Sequence, residues 1–165
     1  MSMRLSKILL VLVIALWLGL VAFGNITDYG SNRAFVQHVL AMDSIFASSD
    51  IHYRAIHSPR LQQLAYLAII VAEALAAGLC GVGGWQMWRA RRTSTATFRR
   101  AARLAVAGLS LGLLLWLGGF MVIGGEWFGM WMSSQWNGLG SAFRFVVVLL
   151  AALIHLGQRD EESGD

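Results

Sequence analysis

The chain is short of charge. Asp, Glu, Lys and Arg make up 13% of its 165 residues, where a soluble domain carries about 25%. It is equally short of cysteine and proline, with one of each. A single cysteine, Cys80, excludes an intrachain disulfide and any multi-cysteine metal site. Lying inside an apolar run, it reads as a small packed hydrophobe. Catalytic signatures are missing too: there is no Ser-His-Asp ordering, no phosphate loop and no HExxH stretch. Gly81-Val82-Gly83-Gly84 resembles a phosphate-binding fragment only superficially, because it ends an apolar helical run instead of following a strand. The net charge of +4 is not a nucleic-acid signature either. The basic residues flank apolar runs, and no basic groove with interleaved aromatics is present.

What the chain has in abundance is apolar sequence: 57% hydrophobic residues, a mean hydropathy of +0.61, and 18 glycines of the kind that let membrane helices pack closely. Four runs are long enough to cross a bilayer, which takes roughly 20 predominantly apolar residues. They fall at about residues 8–24, 61–85, 104–123 and 139–156, the last interrupted near its start by Arg144. Backbone satisfaction in lipid makes each an α-helix. The expected architecture is an all-α, polytopic membrane protein, a four-transmembrane-helix bundle forming one domain. The first run also has the charged start and small residues of a secretory signal (Arg4, Lys7, then Ala22 and Gly24). Its 16 apolar residues are at the long limit for a signal core, so a retained helix is the expectation.

Orientation follows from the basic residues. Arg4 and Lys7, then Arg89, Arg91, Arg92, Arg99, Arg100 and Arg103, then Arg159 put nine of 13 on one side, which is expected to be cytoplasmic. Both termini, the 86–103 loop and the 157–165 tail then lie inside, and segments 25–60 and 124–138 lie outside. Within the long outer segment, Phe35, Val36, Val39, Leu40 and Met42 recur at helical spacing against Arg33, Gln37 and His38. This predicts a short amphipathic helix over 32–43 with Ser31 or Asn32 as its N-cap. Trp127, Phe128, Trp131 and Trp136 at one surface, and Trp85 and Trp88 at the other, fit interfacial aromatic belts. Asn25-Ile26-Thr27 matches a glycosylation sequon beside the membrane. Small residues four apart (Ala15 with Gly19, Ala74 with Gly78, Ala77 with Gly81, Gly108 with Gly112) predict close helix contacts, within the bundle or with a partner subunit.

Glu73 is the only charged residue in the 28 residues from Leu61 to Trp88, which puts it near the middle of the second span. A carboxylate at the bilayer centre costs about 2.5 to 3.5 kcal/mol, so it must face protein or water. Gln62, Tyr66, Ala77 and Cys80 share its helix side. Two roles stay open: a proton relay or substrate contact, or an interior anchor paired with Arg144, Trp116 or Ser110. Haem has no ligands to sit on, because no span holds a midplane histidine. His38, His52 and His57 show no strong metal-ligand spacing and read as solvated loop residues. No cofactor or metal is expected.

The loops carry a resemblance. Asn25-Ile26-Thr27-Asp28-Tyr29-Gly30-Ser31-Asn32, Phe35-Val36-Gln37-His38-Val39-Leu40 and Met42-Asp43 look like the first outer loop of a known family. So do Gly125-Glu126-Trp127-Phe128-Gly129-Met130-Trp131, Ser134-Gln135-Trp136-Asn137-Gly138 and Phe143-Arg144-Phe145. The chain resembles the predicted small integral membrane proteins of domain of unknown function 2165 over nearly its whole length. The resemblance implies a bacterial inner-membrane protein with four spans, and it carries over no catalytic residues. It directs attention to an outer-face cluster of Asp28, Tyr29, His38, Asp43, Glu126, Gln135, Trp136 and Asn137, with Arg144 neutralising Glu126 or a neighbouring acid. The expected function is a non-enzymatic accessory or interaction subunit of a membrane assembly, in contact with the bilayer and another membrane protein. The alternatives are a small transporter or proton-coupled protein using Glu73, and an outer-face lipid or quinone enzyme using Glu126 and His38.

Overall fold

Residues 3–158 are described by the computed structural model. Arg159 and the tail beyond it lie outside the described residues. Four helices are long and apolar enough to cross a membrane: α1 (Met3–Thr27), α3 (Pro59–Arg89), a composite span Arg103–Trp127, and α6 (Leu139–Gly157). Two shorter helices connect them, α2 (Tyr29–Ala41) before α3 and α4 (Thr95–Ala101) after it. The composite span begins as α5 (Arg103–Leu113) and continues as a π-helical segment over Leu114–Trp127, closed by a bond from the Phe128 N–H to the Ile123 carbonyl at 3.0 Å. No strand occurs among the described residues.

The outside of the bundle is apolar. Leu16 is 64% exposed and Leu114 68%, with Val13, Leu20, Phe23, Leu64, Val122 and Ile154 also bare. In lipid such side chains are already in their preferred solvent, so packing, not expulsion from water, must hold the helices together. Small residues do this. A Cβ on Gly83 would come within 2.7 Å of the Ala105 Cα, and one on Gly108 within 2.8 Å of both the Ala76 carbonyl and the Cys80 amide nitrogen. At these two points α3 and α5 touch backbone to backbone. Gly84 makes room for the Leu12 side chain of α1, while Ala77 and Gly81 meet Gly19 and Ala15 respectively. Ala74 and Gly78 are different: both are exposed, and nothing lies within 4 Å of the space a Cβ on Gly78 would fill.

A column of rings ties three helices together. Phe120 stacks on Trp116 (4.5 Å), Trp116 on Phe145 of α6 (3.9 Å, 4° between planes), and Phe145 on Trp17 of α1 (4.1 Å, 9°). Such pairs contribute about 0.5 to 1.5 kcal/mol each beyond their buried area.

Each end of the bundle has its own chemistry. At the arginine end, the Arg4 guanidinium donates to the Thr93 carbonyl (2.6 Å), the Arg91 carbonyl (3.3 Å) and Thr95 Oγ1 (3.0 Å). Lys7, buried beneath it, donates to the Gln158 carbonyl at 2.6 Å. Arg89 lies over Trp85 and Arg91 over Trp88, so each of these indoles holds a cation. The 86–103 stretch, expected as a loop, is largely helical: α3 runs to Arg89, and Ser94 caps α4 by accepting the Thr97 N–H.

At the loop end, α2 starts three residues before the expected 32. Asp28 occupies its N-cap position without a side-chain cap bond, so neither Ser31 nor Asn32 is the cap; Asn32 instead donates to the Asp28 carbonyl. The helix stops at Met42, which is fully buried in the left-handed region at φ 53°. Ser133, also buried, joins the two loops by accepting from the Ser44 hydroxyl and from the Trp136 N–H, both at 2.8 Å.

The close approach at Gly83 makes a prediction with its own control. Gly83→Ala is expected to lower stability by about 1 to 3 kcal/mol through overpacking, read as thermal or denaturant unfolding in detergent. Gly78→Ala, with open space around it, is expected to leave stability unchanged or slightly raised.

Candidate functional site

The polar interior is concentrated in one place. Glu73 is 1% exposed, and its Oε2 accepts a hydrogen bond from the Asn25 side-chain amide at 2.6 Å. Asn25 is one of the last residues of α1, where helix carbonyls have no partner within the helix. Its own carbonyl accepts from the Tyr66 hydroxyl at 2.6 Å. One asparagine therefore clamps α3 twice, at Tyr66 and at Glu73, two turns apart. Tyr66 meets Tyr29 edge to face at 5.0 Å, and the Tyr29 hydroxyl accepts from Gln63.

A cavity of about 220 Å³ opens beside this clamp. Its walls come from every spanning helix and from α2: Asn25 of α1, Asn32 and Phe35 of α2, Tyr66 and Glu73 of α3, Trp116 and Phe120 of the π-helical segment, and Ser141 of α6. Two of these residues carry a buried polar atom without a partner among the described residues, Oε1 of Glu73 and Nε1 of Trp116. An unpaired buried polar group costs about 1 to 3 kcal/mol. Both residues line this one chamber, which makes it the best-defined candidate site among the described residues.

Glu73 is central in the 31-residue α3, and its hydrogen bond to Asn25 and the shared cavity wall put it beside the last turn of α1 and the first turn of α6. Of the partners foreseen for it, Trp116 shares the cavity, and Arg144 does not reach it. The Arg144 side chain is exposed and bonds locally, to the Gly140 carbonyl and to Ser141 Oγ at 3.2 Å each. It neutralises neither Glu73 nor Glu126.

The expected surface cluster is likewise divided. His38, Asp43 and Trp136 do come together: His38 Nδ1 lies 2.8 Å from the Asp43 carboxylate, and its ring stacks on Trp136 at 4.4 Å and 11°. Tyr29 turns inward to Gln63 and Tyr66. Asn137 accepts the Leu139 N–H through Oδ1, holding the entry to α6. Asp28, Glu126 and Gln135 are exposed, and their side chains take no hydrogen-bond or ion-pair partner among the described residues. The eight residues are thus not one site. No group of three His, Cys, Asp or Glu residues that could hold a metal forms among the described residues, and His52 is occupied with the Phe46 carbonyl at 3.3 Å.

The sequence reading ends the first span at residue 24 and places Asn25 in the outer segment, whereas α1 continues to Thr27 and turns the Asn25 amide inward to Glu73. The available signal was length: helical spacing continued to residue 27 would have put Asn25 on the same face as Leu18 and Ala22, both buried.

These features define a polytopic membrane protein of four spans with one interior carboxyl chamber. The family model for predicted small integral membrane proteins, designated DUF2165, matches residues 3–159, and the chain belongs to that family. Comparison with curated proteins and with solved structures finds no match.

Three substitutions test the clamp and the loop junction. Asn25→Ala is expected to lower stability by about 1 to 3 kcal/mol, because it leaves the Glu73 carboxyl without its donor. Combined with Glu73→Leu, the second change should cost much less than it does alone; additive losses would mean that the two side chains are not coupled. Ser133→Ala should leave global unfolding almost untouched and speed hydrogen exchange at the Trp136 amide, since that N–H loses its acceptor.

Proposed function

We propose that the protein is a non-enzymatic, ligand-binding membrane protein of a bacterial inner membrane, with both termini cytoplasmic and the Glu73 chamber in the outer half of the bilayer. The carrying observation is that Glu73 and Trp116, two residues that line one cavity, each keep a buried polar atom without a partner among the described residues, Oε1 and Nε1. A side-chain rotation that turns either atom to the cavity would let a ligand group complete its hydrogen bonding. Binding is better supported than conduction. Towards the arginine end the interior is closed by Cys80, Met87, Ala105, Leu109 and Ile8, all fully buried, and by the backbone contacts at Gly83 and Gly108. The geometry also gives an enzyme built on Glu126 and His38 little support: Glu126 is exposed, and His38 is held between Asp43 and Trp136.

Access to the chamber is testable with dicyclohexylcarbodiimide, an apolar reagent that modifies carboxyls. In membranes it should label Glu73 in preference to the exposed Asp28, Asp43 and Glu126, and the label should vanish in Glu73→Gln. A Glu73 that stays unmodified while the surface acids react would mean that small apolar molecules do not enter, and the reading would fall.

A second reading, an accessory subunit of a larger assembly, rests on Ala74 and Gly78. This small-residue pair is exposed and unused inside the bundle, and it is suited to close contact with a helix of another protein. Mild-detergent purification should then yield a complex that Gly78→Ile disrupts. A chain that runs alone in every mild detergent would remove this reading and leave the first intact.

A further inference from the structure

The two loops at the loop end interlock around a cation. Ser44 meets Ser133 at 2.8 Å, and Ile51 packs on Gly129, where a Cβ would come within 3.2 Å of the Ile51 Cδ1. Arg54 makes a further link. It ends the short turn His52–Arg54, whose backbone is fixed on both sides: the Arg54 N–H donates to the Ile51 carbonyl at 3.0 Å, and the Ile56 N–H to the Leu40 carbonyl of α2 at 2.8 Å. Its guanidinium lies over the Trp127 ring (4.7 Å) and the Tyr53 ring (5.4 Å). It donates through Nη1 to the Trp127 carbonyl at 3.2 Å and through Nε to the Tyr53 hydroxyl at 3.3 Å. We propose that Arg54, framed by Tyr53 and Trp127, binds the phosphodiester of a bilayer glycerophospholipid in the leaflet at the loop end. None of these three residues lines the Glu73 chamber.

The need for an anion follows from what the guanidinium lacks. An arginine is always ionised and offers five N–H donors. Two are engaged here, both by neutral oxygens, and three remain. No carboxylate among the described residues pairs with Arg54: Asp50 and Glu126, the acids nearest to this junction in sequence, are exposed and make no ion pair. Two of the remaining donors are on Nη2, which takes no partner among the described residues and, unlike the Nε of Arg33, is not buried. The rings use the flat face of the guanidinium, and its edge is left for hydrogen bonding. A phosphodiester presents two unesterified oxygens, and arginine binds such a pair through parallel N–H donors.

Position selects the source of that anion. Trp127 closes the third apolar span, Arg103–Trp127, so its ring and the guanidinium resting on it stand where hydrocarbon gives way to head groups. Phosphodiesters are the anions that a bilayer supplies at that depth. The surroundings suit the rest of the molecule. Tyr53 is 77% exposed, and Phe46, Trp127 and Trp131 also present bare rings, with Phe46 set edge to face against Trp131 at 6.0 Å. A soluble anion gains nothing from these rings, whereas the glycerol and first methylenes of a lipid rest against them. Arginine fits the place better than lysine, because a guanidinium is more weakly hydrated and can stack on a ring and hold a phosphate at once. The lipid supplies the counter-charge that the fold withholds from Arg54, and its head group completes the junction between the loops.

The experiment uses the full chain, delipidated in dodecyl maltoside, with bound lipid resolved by native mass spectrometry. Dioctanoylphosphatidylglycerol should form a saturable one-to-one adduct. Dioctanoylglycerol, which lacks the phosphate, and glycerophosphoglycerol, which lacks the chains, should bind at least tenfold more weakly. Arg54→Gln should weaken the tightest phosphatidylglycerol adduct about fivefold, and Arg54→Lys less than that. Two controls should keep it within about twofold: Arg92→Gln at the arginine end, and Ser133→Ala, which loosens the same loops without touching the cation. If Arg92→Gln weakens the adduct and Arg54→Gln does not, the lipid sits at the arginine end and the proposal fails. If Ser133→Ala weakens it as much as Arg54→Gln, loop order and not the guanidinium holds the lipid, and the proposal fails again. Equal binding of glycerophosphoglycerol would make a soluble phosphate ester the ligand, and equal binding of dioctanoylglycerol would leave the phosphate no part; either result overturns the assignment. A second protein chain that Arg54→Gln releases, with the lipid adduct unchanged, would make this face a protein interface and overturn it as well.

Discussion

Backbone contact between α3 and α5 is the constraint on which the rest depends. Lipid offers these helices no hydrophobic reason to associate, and attraction between packed atoms falls away within a fraction of an ångström of separation. Only where Gly83 and Gly108 remove the side chain altogether can the helices come close enough for that attraction to accumulate. The contact lies towards the arginine end and in the middle of the bundle, and α1 is drawn onto the same pair through Gly84, Ala77 and Gly81. The cavity lined by Glu73 lies nearer the loop end than the Gly83 contact, among residues of α2 and the π-helical segment.

Packing against α1 answers the energetic problem of Glu73. A carboxyl within a bilayer must face protein or water, and here it is buried among helices. Asn25 then supplies a donor from the terminal turn of α1, a place where side chains reach across to a neighbouring helix and where backbone carbonyls need partners in any case.

The architecture was legible from residues because lipid makes it so: four apolar runs, scarce charge and basic flanks leave little else for the chain to be. The inward side of α3 was legible as well, since Gln62, Tyr66, Glu73 and Cys80 follow one helical stripe and all four are buried. Pairings between distant segments were not. Arg144 was matched to an acid because opposite charges invite it, yet a helix entry offered the guanidinium a nearer carbonyl and hydroxyl on its own turn. Asn25 was assigned to a loop because helix ends are poorly marked when apolar sequence gives way gradually to polar. The π-helical turns from Leu114 onwards had no signal in periodicity either, because a run that is apolar on all sides looks the same at any period. The outer cluster failed for a related reason: clustering on one membrane face says nothing about which loop residues turn inward.

Trp116 belongs to two systems at once. It is a rung in the column from Phe120 through Phe145 to Trp17, and it is a wall of the chamber. A side chain held flat between two others has surrendered its rotameric freedom during folding, so an incoming group has no such freedom left to take from it. Preorganisation of this kind is how a small site achieves useful affinity from few contacts. The ring stack that secures the helices therefore also fixes one wall of the cavity.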